Sequence, residues 1–187
     1  MGADPVARGL YRFADEPELV AAYDRAQTLV ARYNASAPAE RDPLLRELLG
    51  HVGANVTVMP TLRCDYGRNI SIGDETFVNY DAVLLDPAPI TIGAHCQIAP
   101  RVQLLTAEHP VAPGPRRDGW ESARPITLGD NVWLGGGVIV CPGVAIGDDT
   151  VVGAGAVVIR DLPAGVVAAG TPARVVREIS DRDTRPS

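Results

Sequence analysis

The sequence contains no lysine. Its seventeen basic residues are all arginine, and 23 acids bring the formal net charge to −6. That balance excludes the basic footprint of a nucleic-acid binder, and the all-arginine usage reads as coding bias rather than chemistry. Cysteine is scarce too. Cys64, Cys96 and Cys141 are far apart, form no CxxC or zinc spacing, and read as small residues of a reducing compartment. No run of eighteen apolar residues could span a bilayer, and no N-terminal apolar segment resembles a signal peptide. A soluble, cytoplasmic protein without membrane or nucleic-acid partners is expected. Aromatics make up only 5%, whereas glycine and proline are frequent at 19 and 16. A chain that turns a tight corner every few residues needs that surplus.

What is present is a six-residue period. Small aliphatic residues recur at Leu128, Leu134, Val140, Ile146, Val152 and Val158. Earlier stretches place Ile92, Ile98 and Leu104 in one phase and Ile72, Val78 and Leu84 in another. Neither a 3.6-residue helix nor an alternating strand has this period. A coil with flat six-residue faces does, stacking one apolar side chain per face into a continuous core. The expected fold is mainly β, a parallel β-helix over residues 52–179. Spacing does not give its hand, because parallel crossovers are almost always right-handed.

Residues 1–51 read differently. Asp15 as N-cap, Pro17 and Glu18 signal a helix start, followed by Leu19, Tyr23, Ala26, Leu29, Val30 and Tyr33 at helical spacing and a stop at Asn34. Asp42-Pro43 opens a second helix with Leu44, Leu45, Leu48 and Leu49, closed by Gly50. These helices cap one end of the coil. Residues 180–187 read as a flexible tail.

The coil changes phase twice. Asp86-Pro87-Ala88-Pro89 adds a bulged corner, and residues 106–125 form a long ejected loop. Long loops in compact folds are more often functional than decorative. Of three histidines, His51 lies at the helix–coil junction and His95 inside a regular repeat; only His109 sits at the mouth of the loop.

Cys64-Asp65-Tyr66-Gly67-Arg68-Asn69-Ile70, Asn79-Tyr80 and Thr106-Ala107-Glu108-His109-Pro110 carry a resemblance. It continues in order through Asn131-Val132-Trp133-Leu134-Gly135-Gly136, Pro142-Gly143-Val144-Ala145-Ile146-Gly147 and Gly170-Thr171-Pro172-Ala173. The chain resembles the hexapeptide-repeat sugar O-acetyltransferases, most closely their maltose type, with galactoside and nodulation acetyltransferases as near relatives. Leu10-Tyr11-Arg12-Phe13-Ala14-Asp15 and Tyr33-Asn34 match the helical region this subgroup places before its coil. The resemblance implies a left-handed parallel β-helix, a homotrimer, acetyl-CoA bound between subunits, no metal, and a sugar hydroxyl as acceptor.

Acetyl transfer from a thioester to a hydroxyl needs a base for the hydroxyl proton and donors for the developing oxyanion. By the resemblance, His109 is the general base and Asn79 faces it across the subunit cleft; read alone, Asn79 is a corner asparagine satisfying coil backbone. Asp65, Asp86 and Glu121 are the acceptor candidates, Asp86 the weaker of the family-matched acids and Glu121 equally readable as a solvated loop charge. Glu108 could orient the imidazole, but neighbours on an extended chain point opposite ways. Phe13 and Pro87 stand where galactoside-type relatives carry sugar contacts, which argues against galactoside specificity. For coenzyme A, the resemblance implies Trp133 along the pantetheine arm, a Gly136 backbone N–H toward the thioester, and Ala154, Ile159, Arg160, Arg174 and Arg177 further along. Ile159-Arg160 replaces the family's commoner Thr-Lys, losing a hydroxyl and gaining a planar fork. The alternatives are a drug or amino-sugar acceptor on the same fold and an inactive trimeric scaffold. A three-histidine zinc enzyme of the γ-carbonic-anhydrase type is disfavoured by the scattered histidines.

Overall fold

Three parallel sheets wind into one solenoid in the computed structural model, which describes residue 6 and residues 9–184. The first face stacks His51–Val52, Ile70–Ile72, Ile90–Ile92, Ile126–Leu128 and Ala145–Ile146. The second stacks Thr57–Val58, Phe77–Val78, Gln97–Ile98, Trp133–Leu134, Val151–Val152 and Val166–Gly170, and the third Leu62–Cys64, Ala82–Leu85, Gln103–Leu105, Ile139–Val140 and Val157–Val158.

The six-residue period marks an inward position on each face. Val52, Ile72, Ile92, Leu128 and Ile146 form one buried column; Val58, Val78, Ile98, Leu134, Val152 and Ala168 form the second; Cys64, Leu84, Leu104, Val140 and Val158 form the third. Each Leu, Ile or Val so buried stabilises by about 1.5–3 kcal/mol relative to exposure. Both phase breaks re-enter in register. Ile72 pairs with Ile92 past the Asp86–Pro89 corner, and Ile92 pairs with Leu128 past the long loop.

Corners repeat as well. Asn55, Glu75, His95, Asn131 and Asp149 each occupy the left-handed region, at φ between 55° and 58°, between the first and second faces. Their side chains make rungs along the corner, with Asn55 donating to Glu75 at 2.6 Å and Asn131 to Asp149 at 2.7 Å. His95 is therefore one corner residue of this stack.

Two helices cover the N-terminal end: α1, Pro17–Ala35, and α2, Arg41–Leu48. Leu19, Ala26, Leu29, Val30 and Tyr33 are the buried face of α1, and Leu45 and Leu48 that of α2. The start of α1 departs from the sequence reading. Asp15 ends a 3-10 turn, Phe13–Asp15, and Glu16 is the N-cap without a side-chain bond. Asn34 lies inside α1 rather than stopping it, because its amide docks the helix on the coil. Its Nδ2 donates to the Leu62 carbonyl at 2.9 Å and its Oδ1 accepts the Leu62 N–H at 2.8 Å.

At the other end Ala173–Glu178 turns back antiparallel on Val166–Gly170 and closes the second face. Asp181–Asp183 form a 3-10 turn in which the Ser180 N–H donates to Asp183 at 2.9 Å. The last three positions of the expected flexible tail lie outside the described residues. No helix among the described residues is long and apolar enough to cross a membrane.

Candidate active site

The loop predicted between the first and third faces is an ordered hairpin. The chain leaves the third face at the buried Thr106, whose hydroxyl donates to the Leu85 carbonyl at 2.9 Å and accepts the Ala88 N–H at 3.1 Å. Ala107–Glu108 then pairs antiparallel with Ser122–Ala123, and a short helix, α3, spans Pro113–Arg117 between them. The Arg124 N–H donates to the Thr106 carbonyl at 3.0 Å and closes the neck. Across that neck Arg124 forks onto Glu108 at 2.7 and 2.8 Å. The bidentate hydrogen bond holds the Glu108 carboxyl below its ordinary value. Glu108 is therefore engaged by Arg124 and does not orient the imidazole.

Trp120 supplies the contact to the imidazole. His109 is exposed at the mouth of the hairpin, with Nδ1 3.3 Å from the Trp120 carbonyl oxygen. A carbonyl only accepts, so the proton of the neutral ring sits on Nδ1 and the lone pair on Nε2. Trp120 falls within the expected loop 106–125, but nothing in the sequence marks this role. A backbone carbonyl leaves no side-chain signature to read.

Two predicted acceptor residues meet in one cavity of about 260 Å³, where Asp65 and Glu121 face Phe13, Tyr23, Tyr66 and Pro87. The Phe13 and Tyr23 rings meet edge to face with centroids 5.8 Å apart. Burial first, then the charges of Asp86 and Glu121, push the Asp65 carboxyl up to about 6. Phe13 and Pro87 line the same cavity, which puts apolar surface beside the two acids.

Asp86 is a correction. Its side chain is wholly buried, and its carboxylate accepts the backbone N–H groups of Asp65 at 3.0 Å, Tyr66 at 2.8 Å and Asn69 at 3.3 Å. Burial raises its pKa against the opposing pull of those bonds. With both oxygens occupied and no exposed surface, this carboxylate holds the bulged corner and does not meet the acceptor.

The second face carries the remaining candidates. Asn79 ends the Phe77–Val78 strand and shares a cleft of about 150 Å³ with Gln97, Ala99 and Trp133. Its Oδ1 accepts the Tyr80 N–H at 2.8 Å, as a corner asparagine would, while its Nδ2 has no protein partner among the described residues. The Trp133 indole is 54% exposed and also borders a larger cleft of about 800 Å³ with Val151, Gly165 and Ile179. At the next corner Gly137 and Gly155 take φ of 70° and 71°, which favours glycine. The residues just before them, Gly136 and Ala154, have backbone N–H groups that the solenoid does not use among the described residues. Ile159 and Arg160 are exposed after the Val157–Val158 strand. Arg174 is exposed with one bond to the Ala173 carbonyl, at 2.8 Å, whereas the Arg177 fork is already held by Asp183 at 2.7 and 2.8 Å. Asn79 lines the Trp133 cleft, which does not include His109, and His109 does not line the cavity of Asp65 and Glu121 either.

A solenoid of six-residue faces that ejects a histidine hairpin at one corner and carries a tryptophan-lined cleft and idle backbone donors elsewhere is the build of an acyl-transfer enzyme. The maltose acetyltransferase hexapeptide capping motif matches residues 7–53, and the bacterial transferase hexapeptide motif of six repeats matches residues 125–160. The chain is 44% identical over 162 residues to galactoside O-acetyltransferase of Escherichia coli K12, covering 85% of this chain and 80% of that protein. It is 47% identical over 173 residues to nodulation protein L of Rhizobium meliloti, covering 91% and 94%. Among solved structures, a galactoside acetyltransferase in complex with coenzyme A aligns with a TM-score of 0.94 at 40% identity, covering 100% of this chain and 95% of that one. A maltose O-acetyltransferase from Clostridium difficile 630 aligns with a TM-score of 0.89 at 42% identity, covering 93% and 95%. The chain belongs to the hexapeptide-repeat acetyltransferases and is an acyltransferase with acetyl-CoA as its co-substrate.

Proposed function

We propose that the acceptor is a sugar hydroxyl of the maltose or glucose kind and that His109 is the general base. The observation that carries this reading is the 3.3 Å approach of His109 Nδ1 to the Trp120 carbonyl, which leaves Nε2 as the basic nitrogen at an exposed hairpin mouth. In the reaction Nε2 takes the acceptor proton as the hydroxyl oxygen attacks the thioester carbonyl of acetyl-CoA. The tetrahedral intermediate collapses with loss of the thiolate, which recovers the proton from the imidazolium, leaving an acetyl ester and free coenzyme A. No covalent enzyme intermediate is required.

Asp65 and Glu121 accept hydrogen bonds from the sugar in this reading, with the Phe13 and Tyr23 rings beside them. Trp133 packs along the pantetheine arm. The idle N–H groups of Gly136 and Ala154 face the thioester and its amides, and the unused Nδ2 of Asn79 holds the acceptor or the oxyanion. Exposed Ile159, Arg160 and Arg174 line the way to the nucleotide, Arg160 and Arg174 for its phosphates; Arg177, already paired, is the poorer partner. Because His109 does not line the cleft that holds Asn79 in one chain, the reading has the two meet between neighbouring subunits of a homotrimer. The free thiols of Cys64, Cys96 and Cys141 are consistent with a cytoplasmic setting.

The test is thiol release from acetyl-CoA with maltose, glucose and a thiogalactoside, comparing the wild type with His109→Ala. Sugar-dependent release should fall at least about a hundredfold in the variant. Release that persists in the variant removes His109 as the base; no release with any sugar moves the search to amines and drugs.

A further inference from the structure

The return arm of the hairpin is held from outside the solenoid. Tyr11 and Glu121 exchange two backbone hydrogen bonds, of 3.0 and 2.8 Å, so residues 11–12 run beside residues 120–121. The Arg12 guanidinium then lies over the Trp120 indole, 5.4 Å from its centroid, and is paired with Asp15 in the turn that leads into α1. The helical cap thus grips the residue whose carbonyl faces His109. Arg12 makes no contact with the imidazole itself, and any effect it has on the ring passes through Trp120.

We propose that Arg12 is a positioning residue for acyl transfer. From the N-terminal segment it fixes Trp120, and through the Trp120 carbonyl it keeps the His109 proton on Nδ1. The proposal rests on the reading of His109 as the base. It gives the cap a part in the chemistry in addition to covering the end of the solenoid. An imidazole without such a partner favours the other neutral tautomer, with its proton on Nε2, and in that form Nε2 cannot receive a hydroxyl proton. A cation over a half-buried ring at the surface is a weak contact, so its loss should bias the tautomer and slow turnover without abolishing either.

The experiment compares wild type, Arg12→Ala, Arg12→Lys, Trp120→Leu and Arg25→Ala. Ring-¹⁵N histidine spectra are recorded at alkaline pH, with the His109 signal assigned by its loss in His109→Ala. Arg25 is the control, a cap arginine bonded to the Glu47 carbonyl. The expected result is an Nδ1–H signature in the wild type that shifts toward Nε2–H in Arg12→Ala and Trp120→Leu. Turnover in Arg12→Ala should fall about threefold with the KM for acetyl-CoA unchanged. Arg12→Lys should restore most of both readouts, and Arg25→Ala should change neither. The proposal is overturned if Arg12→Ala keeps the wild-type signature and turnover, if lysine gives no rescue, or if Arg25→Ala does the same damage. An active His109→Ala would instead remove the underlying reading of the base, so the two failures are distinguishable.

Discussion

The buried carboxylate of Asp86 accepts a hydrogen bond from the backbone N–H of Asp65 at 3.0 Å, so one acid fixes the peptide of the other. The same nearness adds to the effect of burial on the Asp65 side chain, whose carboxyl is pushed up to about 6. One acid is structural and the other faces a cavity. Substitutions at the two positions should therefore fail in different ways.

For Asp65 the folded value lies above the 3.8 of an unperturbed aspartate, so the folded protein holds this proton more tightly than the unfolded chain. Its contribution to stability is fully present below about 3.8 and is lost as pH rises through about 6. Asp65→Asn should therefore be more stable than the wild type at pH 7, on the order of 1 kcal/mol, with the difference shrinking at pH 4. Its KM for the sugar should rise about tenfold, because a charged acceptor of hydrogen bonds is lost. Urea unfolding at the two pH values and acceptor kinetics check both halves. A less stable variant at pH 7 would contradict the burial argument.

Asp86→Ala strands the backbone N–H groups of Asp65, Tyr66 and Asn69 in a buried corner. The cost should be on the order of 3 kcal/mol, seen as a large drop in Tm. The milder Asp86→Asn should fold and keep the wild-type KM for the sugar. A raised KM with an unchanged Tm would restore Asp86 to the acceptor site.

Trp133 presents an indole that is 54% exposed and that the core does not need. Trp133→Ala should leave Tm within a degree or two of the wild type and raise the KM for acetyl-CoA about tenfold, with the KM for the sugar steady. Unaltered cofactor kinetics would place the pantetheine arm elsewhere.

The solenoid was legible because one inward position recurs at every six-residue face and is apolar in every coil. Leu128 to Val158 announced the columns, and the two changes of phase located the corner at Asp86 and the hairpin after Thr106. Less of the site could be read. The antiparallel pairing of Ala107–Glu108 with Ser122–Ala123 joins strands too short for a periodic signal. An aspartate beside prolines, such as Asp86, looks like a surface residue until its three backbone donors are seen. The hold of Arg12 on Trp120 joins positions far apart in the chain with no pattern between them. At Asp15 local capping chemistry named the wrong residue, because a 3-10 turn already occupies that position and passes the cap to Glu16.

The hairpin leaves the third face and rejoins the coil at the first through a single closed neck, and Ile126 still pairs with Ile90 as though nothing had been inserted. The stack below does not register how long the excursion is or which residues compose it. Scaffold and excursion are in this sense separable: the excursion can be lengthened, shortened or rewritten while every rung of the coil stays as it was.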